Sequence, residues 1–341
     1  MKRQMSLILV FVLLMTTLLG CASSSDSSSE GAPSGGETLE FTMSHAYPPS
    51  DFRAQGFAYF AEEVEKRTNG QVKITVHPSQ SLVKLQDSYE AITAGTVDIT
   101  ALPSSYITNR IKDLSILDVS GSHDPEQWVE IEKAIYPIVK DILNEHNIQP
   151  LFPSYESFTG ITLREGTEPV KTPDLKGYKI RDYGKYIAEG LKAWNGTPVN
   201  IPLNELNAAV TNNTVDGVYT GWPLIKSFKV YEPTPNVTFT GLSVLWLVMG
   251  MNLDSYNQLN DEQKQIFEEV KWEAMEKMEE LAAPEFEQLT KDIEAAGGTI
   301  YTLTPEERKA FIDAQQPVFQ AIEAEAGPNG KKLIEALKPF Q

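Results

Sequence analysis

Between Asp174 and Trp222 the chain reads DLKGYKIRDYGKYIAEGL, then KAWNGTPVNIPLNELNAAVTNN, then TVDGVYTGW, and this stretch restricts the fold more than any other. A turn at Lys176-Gly177 leads into a short strand, Lys179 to Asp182. Tyr186, Ile187, Gly190, Leu191 and Trp194 then recur at helical spacing. Thr197 to Ile201 and Thr214 to Thr220 read as two further short strands. Strand and helix units alternating in this way build a parallel sheet. Ligands in such sheets bind outside the carboxyl ends of the strands, which is where Arg181 falls. A guanidinium there offers a planar fork of donors that fits a carboxylate and stays charged at any working pH. The residues alone leave two uses open: an anchor for a ligand, or a solvated strand-end cation paired with Asp182 or Asp174.

DLKGYKIR, a helix, and then NGTPVNIPLNELNAAVTNNTVDG together resemble the central signature of the substrate-binding proteins of TRAP (tripartite ATP-independent periplasmic) transporters, the dicarboxylate-binding type. EKRTNGQVKITVHPSQSL and YEAITAGTVDITALPSSYI resemble two earlier blocks of that family, and KVYEPTPNVTFTG its later turn and return strand. The blocks follow one another in the family's order over nearly the whole chain. The resemblance implies an α/β, two-lobed periplasmic-binding-protein-like fold with a central sheet in each lobe, hinge crossings near Phe158 and Leu245, and a long bridging helix. The lobes would be 38–158 with 246–286, and 159–245 with 287–341. It implies an extracytoplasmic protein, not an enzyme, that captures a small organic acid between two closing lobes and delivers it to TRAP transporter membrane subunits. Arg181 would hold the carboxylate. A monomer without cofactor is expected.

Departures from the family's pattern bear on the ligand. Many members carry a second arginine about twenty residues before the first; that count lands on Ile161, with Arg164 nearby but out of register. Pro103, beside Ser104 and Ser105, stands where sialic-acid-type members place an acidic side chain. Thr220 stands where an asparagine or a metal-binding carboxylate often follows the late Asp-Gly, and no Glu occurs from Val218 to Trp222, so a metal-held ligand is not expected. The rest of the inferred cleft is aromatic and apolar: Tyr47, Tyr106, Tyr155, Phe158, Tyr183, Leu203 and Trp222, with His45 at the end of the first strand. This set favours a monocarboxylate with an apolar or aromatic body over a sugar acid or a dicarboxylate.

The chain opens MKRQMSLILVFVLLMTTLLGC: a basic end, an apolar run and small residues, the grammar of a secretory signal. Leu18-Leu19-Gly20-Cys21 resembles a lipoprotein cleavage box, so Cys21 is read as the lipidated first residue of the mature protein and its anchor to a bacterial membrane. It is the only cysteine, which excludes an internal disulfide. Residues 22–37, rich in Ser and Gly, cannot bury enough surface to fold and read as a tether. The formal net charge is −18, which argues against nucleic acid as a partner and requires any attraction for an anion to be local.

The four histidines, His45, His77, His123 and His146, lack metal-ligand spacing, and no GxSxG occurs. A secreted lipid-anchored enzyme or a surface adhesin on the same scaffold is the rival reading. Residues 125–146 carry apolar side chains at helical spacing. LSVLWLVMGMN, 242–252, reads as one central buried strand. From Asp261 a long helix runs on, interrupted at Pro284, the expected bend; its Trp272, Met275 and Met278 read as core. Thr304, Pro305 and Glu307 form a helix-start signature.

Overall fold

The computed structural model describes residues 38–156, 158–243 and 246–341. The leader, Cys21, the tether 22–37 and the crossing at Leu245 lie outside the described residues. Along the first half the strands are β1 (Leu39–Ser44), β2 (Val72–His77), β3 (Ile99–Pro103), β4 (Ile148–Pro153) and β5 (Phe158–Leu163). Then come β6 (Lys179–Asp182), β7 (Thr197–Asn200), β8 (Gly217–Gly221), β9 (Asn236–Ser243), β10 (Leu247–Asn252) and β11 (Thr299–Thr302).

Two mixed sheets result. The first has the order β2-β1-β3-β10-β4, with β1 parallel to β2 and β3, and β10 antiparallel to both β3 and β4. The helix Phe52–Arg67 connects β1 to β2 and buries Phe57, Phe60, Ala61 and Val64. Asp51 caps it by accepting from Arg53 N, and after its end Asn69 and Gly70 take left-handed φ of 51° and 77°. The second sheet has the order β11-β9-β5-β8-β6-β7. Here β6 is parallel to β7 and β8, as the alternation after Asp174 demands, while β5 runs antiparallel to β8 and β9.

The apolar run 242–252 is not one strand. β9 ends at Ser243 in the second sheet and β10 begins at Leu247 in the first, so the run carries the chain from one sheet to the other. Both strands are interior, covered on both faces, and periodicity cannot mark a break between two such strands. The chain also passes between the sheets from β4 to β5, through Ser154, Tyr155 and Glu156.

The helix Asp261–Ala295 is assigned continuously through Pro284, opened by a capping box between Asn260 and Gln263. It serves both halves. Met278 packs so closely on the helix Phe52–Arg67 that a Cβ at Gly56 would lie 2.4 Å from its Cγ. Further along, Phe286 meets Phe158 and Phe239 of the second sheet at ring separations of 5.3 and 5.0 Å. The Thr304 and Glu307 capping box forms, with Pro305 in the first turn. The chain end departs from the division drawn from sequence: the helix Pro328–Leu337 buries Leu333 and Leu337 with Ile131 and Ile135 of the helix Trp128–Asn144, beside the first sheet rather than the second.

Candidate functional site

Arg181 is held by the register of its strand, opposite Val199 of β7 and next to Val218 of β8. Its side chain is only 1 % exposed. Nε donates to the carbonyl of Ile201 at 3.0 Å, and Nη1 has no partner among the described residues. Neither aspartate that could have neutralised it does so. Asp182 accepts from Asn200 Nδ2 at 2.8 Å and from Gly184 N at 3.2 Å; Asp174 accepts from Lys176 N and Asn195 Nδ2. Burial therefore pulls the Arg181 pKa down, with Tyr106, Tyr183 and Asp182 opposing from a distance. A buried guanidinium normally has its donors filled. This one is left with an open donor facing a cavity.

That cavity lies between the two sheets and is lined on its polar side by Arg181, Ser105, Tyr183, Thr220, Tyr47 and Glu156. Leu85, Pro103, Tyr106, Leu203, Leu224 and Leu247 form the rest of its wall. The cavity is small, about 30 Å³. Two further hydroxyls on this wall, Ser105 Oγ and Tyr183 Oη, are buried without a hydrogen-bond partner among the described residues. The Arg181 guanidinium lies 5.0 Å from the Tyr183 ring centre. All three side chains line the cavity.

Seven side chains singled out from sequence, Arg181, Thr220, Leu203, Tyr183, Ser105, Tyr47 and Tyr106, line this space together. Five others do not. Trp222 stacks on Phe52 at 5.7 Å and meets Phe286 at 5.2 Å, a packed joint between helices. Phe158 packs on Phe239 and Phe286. Tyr155 is half-buried and meets Trp128 edge-on at 5.1 Å. Ser104 donates to the Leu117 carbonyl and to Asp118 Oδ1. His45 turns Nδ1 back to accept from Tyr47 N and sets its ring against Phe57 at 5.1 Å, and burial lowers its pKa to about 4. Arg164 does not reach the cavity either: it donates to the carbonyls of Val210 and Val215, while Ile161 is fully buried core.

Two charged residues escaped the sequence reading. Glu156, on the passage from β4 to β5, lines the cavity and accepts from Tyr47 Oη at 2.5 Å, Ser154 Oγ at 3.0 Å and Arg53 Nη1 at 2.8 Å. Arg53 is completely buried, grips Asp51 through Nε and Nη2 at 2.9 and 2.7 Å, and stacks on Tyr47 with 3.7 Å to the ring centre. The acidic residue amid aromatics in FPSYESF was the available signal. Behind Ser105, Asp118 is buried with Oδ2 unpartnered, and burial raises its pKa well above the carboxylate range. The two halves meet closely here, since a Cβ at Gly184 would lie 2.6 Å from Ser105 Cβ and 3.4 Å from Asp118 Oδ2. Among the described residues no three His, Cys, Asp or Glu side chains are grouped as a metal ion would require.

The arrangement suits a receptor: a cavity between two sheets, with an open cation on its polar side and mainly apolar residues over the rest of its wall. Known proteins agree with it. The profile of the DctP group, bacterial extracellular solute-binding protein, family 7, matches residues 43–326. The C4-dicarboxylate-binding protein DctB of Bacillus subtilis is 24 % identical over 306 residues, 88 % of this chain and 86 % of that one. A solute-binding protein of Albidiferax ferrireducens is 26 % identical over 220 residues, 62 % of this chain and 64 % of that one. The TRAP periplasmic solute-binding protein of Roseobacter denitrificans, solved with bound β-D-glucuronate, superposes with a TM-score of 0.81 at 20 % identity, covering 89 % of this chain and all of the other. That of Shewanella oneidensis, solved with bound succinate, gives 0.80 at 22 % identity, covering 89 % and 99 %. The two-lobed α/β architecture is theirs. The chain belongs to the bacterial extracellular solute-binding proteins of family 7.

Proposed function

We propose that this protein captures a small monocarboxylate with an apolar or aromatic body between its two lobes and delivers it to TRAP transporter membrane subunits from a lipid anchor at Cys21. One observation carries the ligand reading: a fully buried arginine with an open donor on the wall of a cavity whose other half is mainly apolar. An acid group placed there satisfies Arg181 Nη1, and the hydroxyls of Ser105 and Tyr183 stand ready to complete its shell. The leucines and Pro103 then cover the body of the solute. Ligand contact with both halves favours the closed arrangement, since only differential binding to that state drives closure.

Calorimetry on the protein stripped of retained solute tests this with 3-phenylpropanoate, 4-methylpentanoate, succinate and galacturonate. The first two are expected to bind more tightly than the last two. Arg181→Ala is expected to weaken that binding by roughly 2–5 kcal/mol, because the ligand charge is left buried and unpaired. Unchanged affinity in the variant removes Arg181 as the anchor. Binding of galacturonate alone removes the apolar body.

A further inference from the structure

The cavity holds a second charge that the anchor for an acid group does not use. Glu156 stands on its wall, and all three of its partners are donors: an arginine, a tyrosine hydroxyl and a serine hydroxyl. Burial raises the Glu156 pKa while the Arg53 charge and the hydrogen bonds from Tyr47 and Ser154 oppose that rise, and the Arg53 contact at 2.8 Å has the length of a charge-assisted bond. An ionised carboxylate has about four lone-pair sites, so one remains on Glu156 after these three bonds.

Charge balance points the same way. Asp51, Arg53 and Glu156 form one buried group carrying two negative charges and one positive. Arg181 is the only other ionised group on the cavity wall. Asp182 is turned to Asn200 and Gly184, and Asp118 lies behind Ser105, off the cavity wall, with its pKa raised by burial. Counted over Asp51, Arg53, Glu156 and Arg181, two negative and two positive charges balance, and Arg181 and Glu156 both stand on the polar side of the cavity. A simple monoanion leaves it with one uncompensated negative charge, a dianion with two. A molecule that carries both a carboxylate and a cationic nitrogen leaves it neutral, with a group of opposite charge for each. Uncompensated charge in a water-poor cavity is strongly disfavoured.

We propose that the solute is a zwitterionic acid, an amino or ammonium carboxylate with an apolar body, whose cationic nitrogen is taken by Glu156 while Arg181 holds its carboxylate. This rests on the anchoring role of Arg181 and deepens it. Glu156 also acts as the selector against dicarboxylates, since a second carboxylate would face it directly.

Matched pairs of acids that differ in an ammonium group provide the test: L-proline and cyclopentanecarboxylate, L-leucine and 4-methylpentanoate, L-phenylalanine and 3-phenylpropanoate. Affinities are measured by calorimetry on the stripped protein, with succinate as the dianion. In at least one pair the ammonium acid is expected to bind tenfold or more tightly than its partner, and succinate is expected to bind more weakly than that acid. Glu156→Gln is expected to erase the preference. Ammonium acids that bind no better than their partners in every pair, or that do not bind at all, overturn the proposal, as does succinate binding most tightly. The ratio within the unaltered protein decides the matter even if the Glu156 variant does not fold. Arg181→Ala separates the two readings: carboxylate binding that depends on Arg181 without any gain from the ammonium group sinks this inference alone, and binding indifferent to Arg181 sinks the anchor beneath it.

Discussion

Two arginines of this protein are equally hidden from water and have opposite surroundings. Arg53 brings its counter-ions with it: Asp51 two residues earlier, Glu156 across the fold, and the Tyr47 ring beneath. Burial alone would lower its pKa, yet Asp51 and Glu156 raise it overall. Arg181 has one carbonyl and nearby hydroxyls, and its pKa falls. The first is a completed joint that fixes the passage from β4 to β5 against the helix Phe52–Arg67. The second is an unfinished one. Burial of a charge thus says little about its use; the tally of its partners says a great deal.

The largest test of this contrast is a pair of alanine variants read by denaturant unfolding. Arg53→Ala leaves Asp51 and Glu156 buried without their cation and is expected to cost roughly 3–5 kcal/mol of stability. Arg181→Ala removes a buried charge that has no direct ion pair and is expected to leave stability unchanged or raise it. Equal losses in both would show that Arg181 is as structural as Arg53. The next test concerns Gly184, whose φ of 179° is open to any residue. Gly184→Ala is expected to keep each half folded but to push Ser105 away, weakening acid binding by roughly 1–3 kcal/mol through overpacking of the closed arrangement. Unaltered affinity in calorimetry would mean that the halves need not approach so closely.

The smallest effect is a pH dependence beside Arg53. Burial lowers the His45 pKa to about 4, Asp51 opposing and Arg53 adding to the fall. An unfolded chain takes up this proton near pH 6.5, the folded one only near 4. The contribution is fully present above pH 6.5 and is lost as pH falls through that window. His45→Gln is expected to flatten the loss by about 1 kcal/mol between pH 7 and pH 5, as measured by thermal melts; parallel pH profiles would place the titration elsewhere.

What could be read from the residues was local in origin. The helical spacing after Arg181, the stop at Asn69-Gly70 and the capping box at Thr304 each depend on neighbours a few positions away, and each is where the sequence places it. Arg181 itself was legible because a strand of four residues leaves little choice about where its side chain goes. Glu156 was not, because its meaning comes from Arg53, 103 positions earlier. Trp222 and Phe158 show a related ambiguity: an aromatic ring near a cleft and one in a packed joint have the same local pattern, and here Phe52 and Phe286, from distant helices, pack on them. The break in the apolar run 242–252 was hidden because the strands on either side of it are equally apolar.

The placement of β10 between β3 and β4 carries a consequence for biosynthesis. β3 and β4 have no bonds to each other, so the earlier sheet stays in two pieces until about residue 252 has left the ribosome. The later sheet waits longer for its edge, β11, at Thr299–Thr302. Pairings so distant along the polypeptide form slowly. A nascent chain of this design remains loose through most of its synthesis, long enough to be threaded through a narrow pore before it can fold.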